Sequence, residues 1–304
     1  MPDNRAPHDT AVPGERSDAL AQYAHPEVLV TTDWVLDNLQ QPRIRIIEID
    51  EDPQIYEAGH IPSALGFNWQ TDLQDRVRRD IVSQADFERL LSASGVANDD
   101  TVVLYGDNHN WFAAYGFWLF KMYGHRDVRL MNGGRQKWIA ENKPVASERP
   151  VYAPTHYVVA AYHREYRASL AEVLEAVRQG NANLVDVRSP DEYTGKILAP
   201  PGMTETAQRG GHIPGARNVP WKSAVQPDGT FKSADELRQI YLVQAGVDPH
   251  KPTIAYCRIG ERSSHTWFVL RYLLGLDNVK NYDGSWTEYG NVVGVPIEKG
   301  STPA

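Results

Sequence analysis

The sequence of 304 residues holds one cysteine, Cys257. A single thiol excludes an internal disulfide framework and any cysteine-rich zinc or iron–sulfur site. Basic residues are in deficit, with 31 Lys and Arg against 39 Asp and Glu and a formal net charge of −8. No global field therefore draws nucleic acid or an anionic membrane. Long apolar runs are missing too. The longest, Trp111 to Phe120, falls well short of the ~20 residues of a spanning helix and reads as a buried one. The ten histidines show no metal-ligand spacing, so neither a metal nor a cofactor is expected. Residues 1–26 carry Pro2, Pro7, Pro13 and Pro26 and no apolar export segment, and are expected to form a disordered tail. These absences fit a cytoplasmic protein, since a lone thiol is compatible with a reducing compartment.

What is present is a repeat. GHIPSA at 59–64 returns as GHIPGA at 211–216, and TVVLYG at 101–106 is answered by TIAYC at 253–257. YGHRDVRLMNGG (123–134) is answered by LGLDNVKNYDGS (274–285), at a spacing of 151 residues against 152 for the GHIP blocks. A near-constant spacing across separated blocks marks an internal duplication, as the length also suggests. Each copy alternates short β-branched runs, such as IRIIEID (44–50) and ANLVDVR (182–188), with helical stretches such as 85–95 and 234–246. That alternation predicts an α/β fold in two tandem domains, each an open, mainly parallel sheet with helices on both faces. The boundaries read as 27–145 and 167–300, with a proline-interrupted linker at 146–166. The second copy carries an insert, 194–210, which reads as a surface excursion or a functional lip.

Free cysteine is among the most buried residue types, so its neighbours decide between core filler and nucleophile. Cys257 follows the strand TIAY and precedes a helix expected over 263–275. Strand, tight loop and helix form a geometry in which backbone N–H groups converge on an anion. The loop reads Cys257-Arg258-Ile259-Gly260-Glu261-Arg262. Gly260 permits the turn, Ser263 is positioned to cap the helix, and Arg258 and Arg262 add positive charge at its N-terminus. Such surroundings should lower the thiol pKa, with Glu261 opposing. The first copy places Gly106 where Cys257 stands, followed by Asp107-Asn108-His109-Asn110. Thiol and arginines vanish together there, so the second copy is the reactive half.

The paired GHIP blocks, DVRSPDEY at 186–193 and CRIGERSS at 257–264 resemble the rhodanese sulfurtransferases, in particular the tandem-domain thiosulfate sulfurtransferases of actinobacteria. The resemblance covers about residues 28–298. It implies a thiosulfate sulfurtransferase in which the Cys257 thiolate takes a sulfane sulfur as a persulfide and passes it to a thiophilic acceptor, cyanide or a thiol. It also implies that Arg262, Arg258 and the loop residues Ile259, Gly260 and Glu261 hold the anionic donor, with Arg188 as a further anion contact. Asp186 would support the site through hydrogen bonds. Glu192 stands where some relatives carry a second arginine, which weakens the case for a carboxylate donor at that spot. A 3-mercaptopyruvate sulfurtransferase and a non-turnover persulfide carrier are the alternatives. Four residues separate Cys257 from Arg262, one fewer than in the anion loop of cysteine phosphatases.

Overall fold

The structure, a computed structural model, describes residues 20–300. The first half contributes β1 (Leu29–Val30), β2 (Ile44–Asp50), β3 (Leu65–Asn68), β4 (Gln74–Asp75), β5 (Asp80–Ile81), β6 (Thr101–Tyr105) and β7 (Val128–Met131). The second contributes β8 (Asn183–Asp186), β9 (Arg217–Asn218), β10 (Thr253–Tyr256) and β11 (Val279–Tyr282). The first sheet runs β1-β7-β6-β2-β3 and the second β11-β10-β8-β9, with every pairing parallel. The central strands β6 and β10 are buried along their whole length, as β-branched runs are when helices cover both faces of a sheet. Outside the sheets, β4 and β5 form a two-stranded antiparallel ribbon whose turn carries Arg79.

The duplication is visible in matched contacts. Ile61 donates its N–H to the Tyr105 hydroxyl at 3.0 Å, and Ile213 donates to Tyr256 at 3.1 Å. His60 stacks on Tyr56 with ring centroids 3.8 Å apart, and His212 on Tyr193 at 3.6 Å. Both histidines are fully buried, so the repeated GHIP blocks carry framework rather than chemistry.

The apolar run that begins at Trp111 forms the helix Trp111–Met122, buried on almost every side. It is covered all round because it packs on the second half: Phe117 meets Phe268 edge-on at 4.8 Å and Tyr272 at 5.2 Å. One apolar cluster therefore runs through both halves, from Leu104 and Trp118 to Trp267 and Leu270. The loop after β10 sits against this shared core. Among the described residues, no helix is long and apolar enough to cross a membrane.

Two expectations need correction. Residues 1–19 of the expected tail lie outside the described residues, but 20–26 are packed. Leu20 and Tyr23 join the shared core, the Tyr23 hydroxyl donates to Lys232 O at 2.9 Å, and Ala24 N–H to Leu273 O at 3.0 Å. Two apolar side chains with a satisfied backbone suffice to order a segment that its prolines suggested was loose. Likewise, the helix after the thiol begins at Glu261, with Gly260 as its N-cap. Ser263 lies inside that helix, donating to Gly260 O and Asn281 Oδ1 rather than capping.

Candidate active site

Cys257 leaves the end of β10 and is held from both sides. Its N–H donates to Ser285 Oγ at 3.0 Å, and its carbonyl accepts from Trp286 N–H at 3.0 Å. The next carbonyl, of Arg258, accepts from Thr287 N–H at 3.0 Å. The segment after β11 thus clamps the first half of the loop. Gly260 then turns the chain at φ 105°, where a Cβ would lie 2.8 Å from Asp283 Cα. That turn aims the Gly260 N–H at the Cys257 sulfur, 3.1 Å away. The carbonyl of Gly260 is tied by the hydroxyls of Ser263 and Ser264 and by Asn281 Nδ2, which fixes the peptide plane.

Cys257 is wholly buried. Its Sγ lies within hydrogen-bond reach of Glu261 Oε2, at 3.4 Å. Burial pushes the Cys257 pKa up and Glu261 adds to the rise, against the lowering effect of Arg262 and the N–H groups of Ser263 and Gly260. The expectation of a depressed thiol pKa is therefore reversed here. A helix N-terminus and an arginine do act on the sulfur, but loss of water outweighs them.

The arginines have internal partners. Arg262 donates from both Nη atoms to the two oxygens of Glu192, each at 3.0 Å, in a buried fork. Burial alone would raise the Glu192 carboxyl, yet those hydrogen bonds and the Arg262 charge hold it below the usual range. Arg188, expected as an anion contact, is instead buried against Asp186 at 2.6 Å and Gly211 O at 2.7 Å, with its guanidinium 4.6 Å from the Trp286 ring centre. Its place is in the framework. Arg258 reaches outward to the backbone carbonyl of Glu205, in the insert. Glu261 Oε1 and Arg258 Nε are buried without a hydrogen-bond partner among the described residues. Three arginines (188, 258, 262) thus face three carboxylates (Asp186, Glu192, Glu261), and the buried cluster is charge-balanced.

His265 lies one turn along the helix, fully buried near Trp221 and Phe231. Burial pushes its pKa down to about 3, so it stays neutral and packs. Among the described residues, no group of His, Cys, Asp or Glu could hold a metal ion.

The first half carries no counterpart to the thiol. At Gly106 an added Cβ would lie 2.4 Å from Ile49 O, so that loop has no room for a side chain. Its turn is built from Asn108, His109 and Asn110, all at positive φ, with Asn110 Oδ1 accepting the Gly106 N–H at 3.0 Å.

The rhodanese-like domain model matches residues 31–141 and 169–291. The chain belongs to the rhodanese family. It is a tandem member with one thiol-bearing half. A protein of Saccharopolyspora erythraea named "Putative thiosulfate sulfurtransferase" is 59% identical over 273 residues, 90% of this chain and 96% of its own length. A protein of Thermus thermophilus named "Sulfur carrier protein TtuD" is 56% identical over 282 residues, 91% of this chain and 99% of its own. Among solved structures, the 3-mercaptopyruvate sulfotransferase SseA of Escherichia coli superposes with TM-score 0.75 at 26% identity, covering 85% of this rhodanese and 98% of that chain.

Sequence reasoning missed Glu192 as the partner of Arg262, Ser285 as the clamp on Cys257, and Arg79 and Glu205 beside the loop. One signal was readable. Gly134 and Ser285 are equivalent in the repeat, and both are left-handed, at φ 59° and 52°. A serine where the other copy of this rhodanese spends a glycine marks backbone strain held for a purpose.

Proposed function

We propose that this rhodanese is a thiosulfate sulfurtransferase working through a persulfide on Cys257. The observation that carries the reading is the Cys257 sulfur itself, which receives the Gly260 N–H at 3.1 Å and lies 3.4 Å from the Glu261 carboxylate. Glu261 is placed to take the thiol proton. The resulting thiolate attacks the outer sulfur of thiosulfate, the S–S bond breaks, and sulfite departs with its electron pair. Cys257 keeps the sulfane sulfur as Cys–S–S⁻, which the N–H groups of the loop and the charge of Arg262 stabilise. Attack by cyanide or a thiol on the terminal sulfur releases thiocyanate or a new persulfide and restores the thiolate. Each half-reaction conserves charge without an oxidant or cofactor.

A carboxylate donor such as 3-mercaptopyruvate fits less well. Arg188, expected as an anion contact, is paired with Asp186, and the position four residues on, where some relatives carry a second arginine, is the acidic Glu192. The carrier reading needs the same thiol, and the name of the Thermus relative keeps it as the second reading. Steady thiocyanate production from thiosulfate and cyanide, lost in Cys257→Ser, supports the enzyme. A single stoichiometric burst supports the carrier, and turnover retained without the thiol overturns both.

A further inference from the structure

The buried cluster around the thiol carries no net charge, yet thiosulfate is a dianion. A further cation stands beside the loop, supplied by the other half of the molecule. Arg79 occupies the turn of the β4–β5 ribbon at φ 57°, a left-handed position that an unbranched side chain tolerates only where the turn is held. Asp75 holds it, accepting Val77 and Arg78 N–H on its carboxylate and Arg79 N–H on its carbonyl. From there Arg79 crosses between the halves. Its Nη2 donates to the carbonyl of Ile259, inside the thiol loop, at 3.1 Å. Its Nε donates to Glu205 Oε1 at 2.6 Å.

Glu205 belongs to the insert that the first half lacks. It engages two arginines by different groups: Arg79 through its carboxylate and Arg258 through its backbone carbonyl. The stem of the insert is fixed, with Ala207 buried and Arg209 O accepting from Trp286 Nε1 at 2.9 Å. The Glu205 carboxylate, by contrast, is 38% exposed and its Arg79 partner 34%. A pair that open to water is weak and exchangeable. Both residues also line a 570 Å³ cavity with Arg167, Asp283, Gly284 and Thr287, and Thr287 is the residue that holds Arg258 O.

We propose that Arg79, supplied by the half without a thiol, binds the anionic group of the sulfur donor, and that Glu205 occupies its place until the donor displaces it. The inference rests on the sulfur-transfer reading for its substrate, a small sulfonate-like dianion whose oxygens suit the guanidinium fork. Release of Glu205 frees one arginine donor set, and the same movement loosens the insert from Arg258 beside the closed sulfur. The second domain thereby has a task for its silent partner: it completes the donor site from the other half of the same chain.

Kinetics on the full chain test this with Arg79→Gln, Arg79→Lys and Glu205→Gln. Loss of a charge-assisted hydrogen bond predicts a KM for thiosulfate raised about tenfold or more in Arg79→Gln, with kcat changed far less. Arg79→Lys should recover part of that loss. Glu205→Gln keeps the backbone link to Arg258 and should lower KM. A KM within about twofold of wild type in both Arg79→Gln and Glu205→Gln overturns the proposal. Alkylation of Cys257 gives a readout independent of sulfur transfer. The rate ratio of anionic iodoacetate to neutral iodoacetamide should fall in Arg79→Gln and rise in Glu205→Gln. Equal ratios in all proteins refute the role of Arg79 even if thiosulfate is not the donor. If wild type forms no persulfide while the ratios shift as stated, the anion site stands and the donor assignment fails. Should Arg79→Gln not fold, Glu205→Gln and Arg79→Lys decide by the same two measurements.

Discussion

Replacing Glu192 with alanine removes the sole hydrogen-bond partner, among the described residues, of both Arg262 Nη atoms, since the two bonds at 3.0 Å go to the two oxygens of that carboxylate. Arg262 is only 4% exposed, so the orphaned guanidinium cannot turn to water. Breaking a buried pair by deleting one member costs about 3–5 kcal/mol, because the surviving charge stays desolvated. At roughly 2–3 °C per kcal/mol for a chain of this size, Tm should fall by about 6–15 °C. Calorimetry at neutral pH measures it. Acid adds a second arm. The folded-state pKa of Glu192 is lowered, so its stabilisation is complete above the unfolded value of about 4.3 and is lost as pH falls through the folded value. That acid-side loss should disappear from the profile of Glu192→Ala. The double variant Glu192→Leu/Arg262→Met should recover most of the stability, since an apolar pair often replaces a buried ion pair at little cost, and yet remain inactive. A Tm drop below about 2 °C in Glu192→Ala would refute the buried pair.

Cys257→Ser should abolish sulfur transfer while leaving Tm nearly unchanged, because one chalcogen replaces another in the same closed space; residual turnover contradicts the assignment. Gly260→Ala meets both a left-handed φ of 105° and a contact of 2.8 Å to Asp283, which should cost about 1–3 kcal/mol and displace the N–H from the sulfur; an unchanged kcat and Tm speak against the loop geometry. Glu261→Gln removes the proton acceptor and the charge that raises the thiol pKa, so kcat should fall about 100-fold while the alkylation pH profile of Cys257 moves to lower pH. An unaltered kcat would take the proton-transfer role from Glu261. In the first half, burial and the neighbouring Glu48 push Asp50 up to about 8. Its folded pKa exceeds the unfolded one, so stability declines as pH rises between about 4 and 8. Asp50→Asn, which keeps an acceptor for Asp107 N–H, should raise Tm more at pH 8 than at pH 5, and an equal effect at both would deny the shift.

The sequence carried the architecture because the architecture is periodic. A near-constant spacing between GHIPSA and GHIPGA, TVVLY and TIAY, exposed the duplication, and β-branched runs between helical stretches exposed parallel sheets. The candidate nucleophile stood out for a related reason: the first copy acted as a blank, with Gly106 where Cys257 stands. What stayed hidden were partnerships over long separations. Nothing local pairs Glu192 with Arg262 or Arg79 with Ile259, since both are created by folding. The charge sense of Arg188 misled because a single arginine after a strand looks the same whether it faces a ligand or, as here, Asp186 and Trp286. The thiol pKa was misjudged because loop chemistry is written in sequence, whereas burial depends on what the two halves and the insert place around the sulfur.

Intact-protein mass spectrometry after treatment with thiosulfate tests the central claim most directly. The chain should gain the mass of one sulfur atom, lose it on addition of cyanide, and show neither change in Cys257→Ser. A wild-type chain that remains unmodified, or a sulfur adduct that persists without Cys257, would contradict the persulfide account.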